Sequence, residues 1–504
     1  MARFLRRSFA AIHTLPARAD TFHDAALKGT SPTRVGPLQF LAAMVIIVVS
    51  LLPMPAPILA LGAVLVVALT PLASWISLIF FGIVMALSGI LDYWPVQVGP
   101  INVYTIDFIA IIFLWTIAHT IIRTPSEHAV SPFANPHEKR LVALWALWCG
   151  LGVFFLLYGF VIQGYAFDRA FGDYRRQVWY AAAFLIPIFF PYSRKHLDAL
   201  KYIIVLAGTV TIAIGIYRIT IGTGARFDEN NETGHLAVRW LWIVECMTLS
   251  TLLAYLVLVL RAGTGIARKV LAIALCFPAG ILLLLSGWRL AMIYTVAAPL
   301  AALILWSWAR RESLRRFVVG GFVAALAAVP AIAALPILLP DLFGRMLLDL
   351  RLRLVNDVVQ GGFRRWAWTE GLTDFMESPI IGKGFGFYQV VALRNQSGFF
   401  NYVEMSNAHN VFVTTLYQTG ILGFVPFVSF HGLFLVVVIR TIRRLPDRLL
   451  STYIALFVAY GCYMGYANTQ PFVSSQFIIM YLIMGFIIRI SRIQGESSLE
   501  PEHS

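Results

Sequence analysis

His409 and Asn410 stand where a long polar segment returns to apolar sequence, and Gly420 follows them after nine further residues. Histidine is the side chain whose ordinary pKa lies nearest neutrality. An imidazole at a lipid–water boundary can therefore accept the proton of a hydroxyl group without a metal or ATP. The pattern predicts group transfer at a membrane surface, with His409 as the base and Asn410 either orienting it or capping the helix that follows.

Arginines within apolar sequence form a second set of candidates. Arg218 and Arg289 fall within or at the start of apolar runs, where an isolated charge costs about 2.5–3.5 kcal/mol on insertion scales. Such residues are candidates for function. Each could instead extend to the interface or pair with an acid, for example Asp107 or Glu245, and would then be structural.

Three further arginines lie in polar segments. Arg226 belongs to the segment 222–235, which also holds three acids that could neutralise it. Arg364 and Arg365 lead into an aromatic-rich stretch. A planar guanidinium suits phosphate oxygens, but paired basic residues on an amphipathic helix also contact lipid headgroups.

The composition defines the class of protein. The chain has 504 residues, of which 59% are hydrophobic and 13% are charged, and its mean hydropathy is +0.78. These values exclude a soluble globular domain and predict an all-α, polytopic integral membrane protein with about 12–14 transmembrane helices. The predicted spans are 38–53, 57–72, 74–91, 104–122, 140–163, 177–192, 198–221, 238–260, 270–286, 289–309, 317–340, 410–439, 449–468 and 471–488.

The basic residues predict the orientation of the chain. The net charge is +14, and Lys and Arg concentrate in alternate connecting segments, which indicates cytoplasmic termini rather than a nucleic-acid partner. The predicted organisation is a basic cytoplasmic tail, transmembrane helices, one large outer loop, further transmembrane helices and a cytoplasmic tail, at 1–37, 38–340, 341–409, 410–489 and 490–504.

The outer loop 341–409 is the predicted functional module. A helix-like pattern with mixed aromatic and basic residues covers 351–376 and predicts an amphipathic helix on the membrane surface. Its aromatic side chains could stack on sugars or form an interfacial belt. A flexible glycine-rich turn is expected at 382–386, and the loop holds no paired acids of the kind that bind a metal.

Three sequence blocks resemble the O-antigen ligase and polymerase superfamily of membrane glycosyltransferases. The block 409–423 has the family's His-Asn, nine residues, Gly pattern, and 379–386 is similar to its Pro-apolar-apolar-Gly-x-Gly-x-Gly turn. The block 285–289 resembles the family's Ser-Arg element, although two residues separate the serine from the arginine. The resemblance covers roughly residues 280–440, and the earlier spans agree only in hydropathy and topology.

The resemblance implies transfer at the periplasmic face of the bacterial inner membrane. The donor would be an undecaprenyl-diphosphate-linked glycan and the acceptor a hydroxyl group of lipid A core or of a growing polysaccharide. Membrane lipids would be the other partners, with no metal, cofactor or nucleic acid. His409 would be the general base, Asn410 and Gly420 would support it, and the diphosphate would be bound by Arg218, Arg226, Arg289, Arg364 and Arg365.

Several alternatives remain open at this stage. An O-antigen ligase and a Wzy-type polymerase of O-antigen or exopolysaccharide share the same chemistry and differ in their acceptor. A polysaccharide flippase or small-solute transporter would also have many spans and intramembrane arginines, although no pair of related halves is evident in the sequence. A catalytically inactive assembly partner would retain the topology without needing His409.

Overall fold

The computed structural model describes part of the chain. The described residues are 73–91, 96–98, 101–103, 136–189, 192, 194–221, 241–262, 265–286, 288–312, 344, 366–394, 400–405, 407–468 and 474–497. Several sequence predictions lie outside these residues, namely the basic tail 1–37, the spans 38–53, 57–72, 104–122 and 317–340, the amphipathic pattern over 351–365, and the end of the chain beyond residue 497.

Helices dominate the described chain. They are α1 (Ala73–Leu91), α2 (Pro136–Leu157), α3 (Phe167–Gln177), α4 (Leu185–Phe189), α5 (Arg194–Ile221), α6 (Ile243–Arg261), α7 (Ile266–Leu285), α8 (Arg289–Ala309), α9 (366–377), α10 (Val411–Ile442), α11 (Asp447–Ala467) and α12 (Ser474–Ser497). A π-helical turn, Tyr158–Ile162, extends α2, and a 3-10 helix, Trp179–Phe184, precedes α4.

Two short antiparallel hairpins accompany the helices. In the first, β1 (Val96–Val98) pairs with β2 (Ile101–Val103). In the second, β3 (Gln389–Arg394) pairs with β4 (Phe400–Met405), so that Gln389 lies opposite Met405. The second hairpin belongs to the predicted outer loop and lies between α9 and α10.

Within the part of the chain that the structure describes, seven helices are long and apolar enough to cross a membrane. They are α2 with its π-helical extension, α5, α6, α7, α8, α10 and α11. Each coincides with a predicted span to within a few residues at most ends. The prediction of an all-α polytopic membrane protein is therefore confirmed.

Helix α6 forms the centre of the helix packing. In an apolar stretch of 18 residues within α6, 83% of the residues are buried. The helix packs against α5, α7, α8 and α11. Its small polar side chains return hydrogen bonds to the helix backbone, as Thr251 Oγ1 does to the Met247 carbonyl at 2.8 Å. The Thr248 hydroxyl also donates to the Met85 carbonyl of α1 at 2.6 Å. Satisfying these groups internally permits their burial.

The segment 177–192, predicted as one span, has a different form. Here the structure contains the 3-10 helix Trp179–Phe184 followed by the five-residue helix α4. Pro187 lacks a backbone N–H and disfavours a continuous α-helix through this segment. Both short elements pack against α12, where an added Cβ at Gly485 would lie 2.5 Å from the Phe184 carbonyl oxygen. Gly485 therefore permits the close approach of this irregular segment.

Candidate functional site

His409 lies in a tight turn immediately before α10. Its backbone φ is +53°, in the left-handed region that residues other than glycine rarely adopt. The His409 N–H donates to Asn407 Oδ1 at 3.0 Å, and the Ala408 N–H donates to Thr414 Oγ1 at 3.0 Å. His409 is a partly exposed residue, and the side chains of Asn407 and Thr414 hold the backbone of its turn in place.

Asn410 caps the helix that follows. Its backbone is extended, and its Oδ1 accepts hydrogen bonds from the N–H groups of Phe412 and Val413 at 3.0 and 3.1 Å. An N-cap asparagine satisfies donors that have no partner within the helix. His409 therefore lies in the turn, and Asn410, the next residue, is the N-cap of α10.

Gly420 interrupts α10 ten residues after the cap. Its φ of +59° and ψ of −166° are not helical and are accessible chiefly to glycine. An added Cβ would lie 2.3 Å from the Ile380 carbonyl oxygen. The helix beyond the break, 421–442, is about 33 Å long by itself, which exceeds a hydrocarbon core of about 30 Å. The residues from 411 to 419 therefore form a separate segment ahead of a complete membrane-crossing helix.

The glycine-rich turn 379–386 docks onto this break in α10. Two N–H groups after the break donate to the turn and two N–H groups of the turn donate to carbonyls before it. The pairs are Ile421 to Pro379 at 2.9 Å, Leu422 to Ile380 at 3.0 Å, Lys383 to Tyr417 at 2.8 Å and Gly384 to Gln418 at 2.9 Å. The turn therefore satisfies backbone groups that the break would otherwise leave without helical partners. It was predicted to be flexible, but its backbone is held on α10.

The other side of the turn packs against the end of α2. The Phe385 N–H donates to the Phe155 carbonyl at 3.3 Å. An added Cβ at Gly159 would lie 2.0 Å from the Phe385 carbonyl oxygen, and one at Gly384 would lie 2.9 Å from the Gly159 Cα. Glycines on both partners let two backbones touch. The turn therefore joins α2 to α10.

A buried polar network connects α3 to the same place. Asp173 Oδ2 accepts from the Gly386 N–H at 2.9 Å and from Gln418 Nε2 at 2.9 Å. Gln177 Nε2 donates to Gln418 Oε1 at 2.5 Å, and Arg176 pairs with Asp173 Oδ1 at 2.5 Å. The Arg176–Asp173 pair lies within α3. The other three contacts link α3 to the glycine turn or to the segment of α10 before the break.

The charge of Asp173 depends on these contacts. Burial raises the pKa of the Asp173 carboxyl, while the Arg176 guanidinium, the Gly386 N–H and the Gln418 amide act in the opposite direction. All three groups donate to the carboxylate oxygens and so favour the ionised form. Burial also raises the pKa of the nearby Tyr388 hydroxyl, and Arg169 lies 4.5 Å above the Tyr388 ring.

Arg218 lies at the end of α5 and pairs with the start of α6. Its guanidinium donates to both carboxylate oxygens of Glu245, at 2.6 and 3.0 Å. Glu245 is fully buried and also accepts from the Trp242 N–H at 2.8 Å. This bidentate pair corresponds to the pairing alternative for Arg218, with Glu245 as the acid. A role of Arg218 in diphosphate binding stays a prediction.

The remaining predicted arginines are placed only in part. Arg289 is the first residue of α8, directly after Trp288, whose indole N–H donates to the Leu241 carbonyl at 2.8 Å. The Arg289 side chain lies outside what the structure describes, as do Arg226, Arg364 and Arg365. His409 and Asn410 lie at the start of α10 and Gly420 lies ten residues further along it, and the described contacts of Arg218 join α5 to α6.

Helix α3 was not predicted, because it falls almost entirely between the spans predicted at 140–163 and 177–192. The missed residues include Asp173, Arg176 and Gln177. A signal was available, because Phe167, Phe171 and Tyr174 recur at helical spacing. In the structure Phe167 and Phe171 stack, with ring centroids 5.6 Å apart.

Comparison with known proteins identifies one segment of the chain. A family model described as O-antigen ligase matches residues 271–428. This range contains the blocks 285–289, 379–386 and 409–423, so the resemblance to the O-antigen ligase and polymerase superfamily is confirmed. No curated protein matches the chain. The chain is a multi-pass membrane protein whose residues 271–428 are similar to the O-antigen ligase family, which supports a glycosyltransferase of the ligase or polymerase type.

Proposed function

We propose that this protein transfers a glycan from an undecaprenyl-diphosphate donor to a hydroxyl acceptor at the periplasmic face of the bacterial inner membrane. The proposed acceptor is lipid A core, as in O-antigen ligation and lipopolysaccharide biosynthesis. His409 acts as the general base, and outer-facing arginines bind the diphosphate. A Wzy-type polymerase would use the same residues with a second lipid-linked repeat as acceptor.

One observation carries this proposal. The glycine turn and the His-Asn-x9-Gly block are separated in the sequence by residues 387–408, yet they dock through four backbone hydrogen bonds between 379–384 and 417–422. Two motifs of the family resemblance therefore form one structural unit. This unit supports a fixed position for His409 ahead of the membrane-crossing helix 421–442, where a lipid-linked donor would present its diphosphate.

The proposed reaction exchanges one bond for another. The acceptor oxygen forms a bond to the anomeric carbon of the donor sugar while the bond from that carbon to the diphosphate oxygen breaks. The His409 imidazole takes the proton of the acceptor hydroxyl and later releases it to water. A positioned base of this kind contributes typically about 10² to 10⁴ in rate. No redox step occurs, and the leaving group is the polyprenyl diphosphate.

Negative charge accumulates on the leaving diphosphate. We propose that arginine side chains bind the diphosphate and stabilise this charge. Guanidinium groups remain charged and bind phosphate oxygens with two parallel hydrogen bonds. Arg289 starts α8, and Arg218 lies in the last turn of α5. Arg226, Arg364 and Arg365 are further candidates in the polar segments that the sequence places on the same side. Fixed positive groups aimed at developing charge are the main source of this type of catalysis.

The test is reconstitution of the purified protein with undecaprenyl-diphosphate-linked repeat units, with and without lipid A core. We expect transfer to the core lipid in the complete mixture and about 10²- to 10⁴-fold slower transfer by His409→Ala. A ladder of products from the donor alone would instead identify a polymerase. Wild-type protein that forms no product in either mixture would overturn the proposal and favour transport or an assembly role.

A second histidine provides the matched control. His196, near the start of α5, packs against Trp75 in a tilted arrangement with ring centroids 4.6 Å apart. It lies in the connection 193–201, which the alternation of basic segments predicts to be cytoplasmic. We expect His196→Gln to transfer glycan at the wild-type rate. Equal thermal stability of the wild type and His409→Ala would show that lost transfer does not reflect unfolding. Full activity of a stable His409→Ala protein would rule out His409 as the general base.

A further inference from the structure

A shallow apolar groove runs between the first half of α2 and the middle of α10 and opens on the side away from His409. Its volume is about 800 Å³. Its walls are Arg140, Ala143, Leu144 and Leu147 of α2 and Val428, Ser429, Gly432 and Leu433 of α10. Apart from Arg140 and Ser429, every wall residue is apolar. Gly432 has no atom within 4 Å of the position that a Cβ would occupy, which keeps this wall open.

The dimensions of the groove match one leaflet of a membrane. Leu147 is seven residues after Arg140 on α2, which is a rise of about 10 Å along the helix. Half of a hydrocarbon core is about 15 Å. The apolar walls therefore cover most of the depth of one leaflet. Arg140 stands at the end of the groove where lipid headgroups begin.

The mouth of the groove carries positive charge. Arg140 is exposed, and Arg440 lies eight residues after Gly432 on the same face of α10. Arg440 reaches across to α2, where it donates to His137 Nε2 at 2.5 Å. The acid nearest to this mouth in sequence, Glu138, is buried and faces α12, where Arg492 donates to it at 3.0 and 3.1 Å. The mouth therefore presents arginine to an approaching headgroup.

We propose that this groove binds one anionic phospholipid, with its phosphate between Arg140 and Arg440 and its acyl chains against Leu144, Leu147 and Leu433. Apolar walls alone would accept any lipid, but the arginines at the mouth select a negative headgroup. The bound lipid bridges α2 and α10, the two helices that hold the glycine turn at their other ends. This site is independent of the proposed transfer reaction.

The test uses the full-length protein in nanodiscs that contain either phosphatidylglycerol and phosphatidylcholine or phosphatidylcholine alone. Native mass spectrometry counts retained lipids, and thermal unfolding reports their effect. We expect one retained phosphatidylglycerol and a higher Tm in its presence. Arg140→Gln should reduce its retention about fivefold, in line with the contribution of one basic residue near a membrane surface, and Arg140→Lys should preserve it.

Two further variants separate charge from shape. Leu144→Trp fills the groove without changing its charge and should displace the phosphatidylglycerol. Arg268→Gln, on exposed α7 outside the groove, should leave retention unchanged. Equal retention of phosphatidylcholine and phosphatidylglycerol by the wild type, or unchanged retention in Arg140→Gln, would overturn the proposal. Preferential retention of a polyprenyl phosphate or of a second protein chain in the groove would overturn it as well.

Discussion

At the scale of single residues, the backbone of His409 is the clearest departure from ordinary geometry. Among the residues that the structure describes, only Arg311 and His409 have a positive φ without being glycine. Strained backbone persists where surrounding contacts hold it, and such positions concentrate at functional sites. The contacts of Asn407 and Thr414 account for the stability of this turn. The proposed base is therefore presented by a fixed turn, although the sequence suggested a loop residue.

The Arg218–Glu245 pair allows the structural and functional roles of Arg218 to be separated. Glu245→Gln leaves the guanidinium without its buried partner, and breaking such a pair costs about 3–5 kcal/mol. We expect this single variant to lower the Tm strongly and the double variant Arg218→Met, Glu245→Gln to recover most of it. Thermal unfolding in nanodiscs measures both effects.

Transfer by the stabilised double variant then distinguishes the two roles. If Arg218 also binds the diphosphate, the double variant should be folded but deficient in donor binding. A double variant with wild-type stability and wild-type transfer would make the pair purely structural. A single substitution at Arg218 or at Glu245 cannot answer this question, because it removes one partner of the buried pair and lowers the stability of the protein.

At the scale of secondary-structure elements, the docking of the glycine turn on α10 predicts a severe effect of Gly420→Ala. The backbone conformation alone costs about 1–3 kcal/mol for a residue with a side chain. In addition, the new Cβ would lie 2.3 Å from the Ile380 carbonyl oxygen and 2.7 Å from the Gly382 nitrogen. We expect a lower Tm and loss of transfer, measured in the same reconstituted system.

Gly150 supplies the control for this prediction. It lies within α2, and a Cβ there would meet no atom within 4 Å. Gly150→Ala should therefore retain the wild-type Tm and the wild-type rate. If the Gly420→Ala protein is as stable and active as Gly150→Ala, the docking of the glycine turn does not depend on the break in α10 at Gly420.

Sequence patterns located most elements because hydropathy is local information. The spans at 198–221, 289–309 and 449–468 agree closely with α5, α8 and α11. The docking of 379–384 on 417–422 could not be read in this way, since backbone hydrogen bonds between distant segments leave no periodic signal. The two motifs were identified separately by resemblance, and their association came from the structure.

Other elements were missed for identifiable reasons. The hairpin β3–β4 has two runs rich in β-branched and aromatic residues on either side of the polar segment 395–398, but the helix predicted within this loop covers only 351–376 and no strand was predicted. Helix α3 has too many charges to resemble a span, so hydropathy alone assigned it to a loop. Among the proposed site residues, His409 and Gly420 were predicted from spacing, whereas Asp173 entered the candidate site only through its contact with Gly386.

At the scale of the whole molecule, four of the described ion pairs lie at helix ends predicted to be cytoplasmic, whereas the Arg218–Glu245 pair lies at the opposite ends of α5 and α6. The four pairs join neighbouring helices or their connections, namely Arg261–Glu312, Arg310–Asp447, Arg448–Asp198 and Arg492–Glu138. The His409 turn and the glycine turn lie at the opposite ends of α10 and α2. This distribution agrees with an orientation in which positively charged connections stay in the cytoplasm, and it predicts that the His409 side faces the periplasm.

Cysteine labelling of intact cells tests this orientation. The four native cysteines are replaced by alanine, and a single cysteine is introduced as Glu377→Cys beside the glycine turn or as Arg268→Cys near the start of α7. The Glu377 side chain is 61% exposed, and Arg268 is also exposed. With a permeabilised outer membrane, a membrane-impermeant maleimide should label Glu377→Cys at once and Arg268→Cys only after lysis. The reverse pattern would place His409 in the cytoplasm, where the proposed periplasmic transfer could not occur.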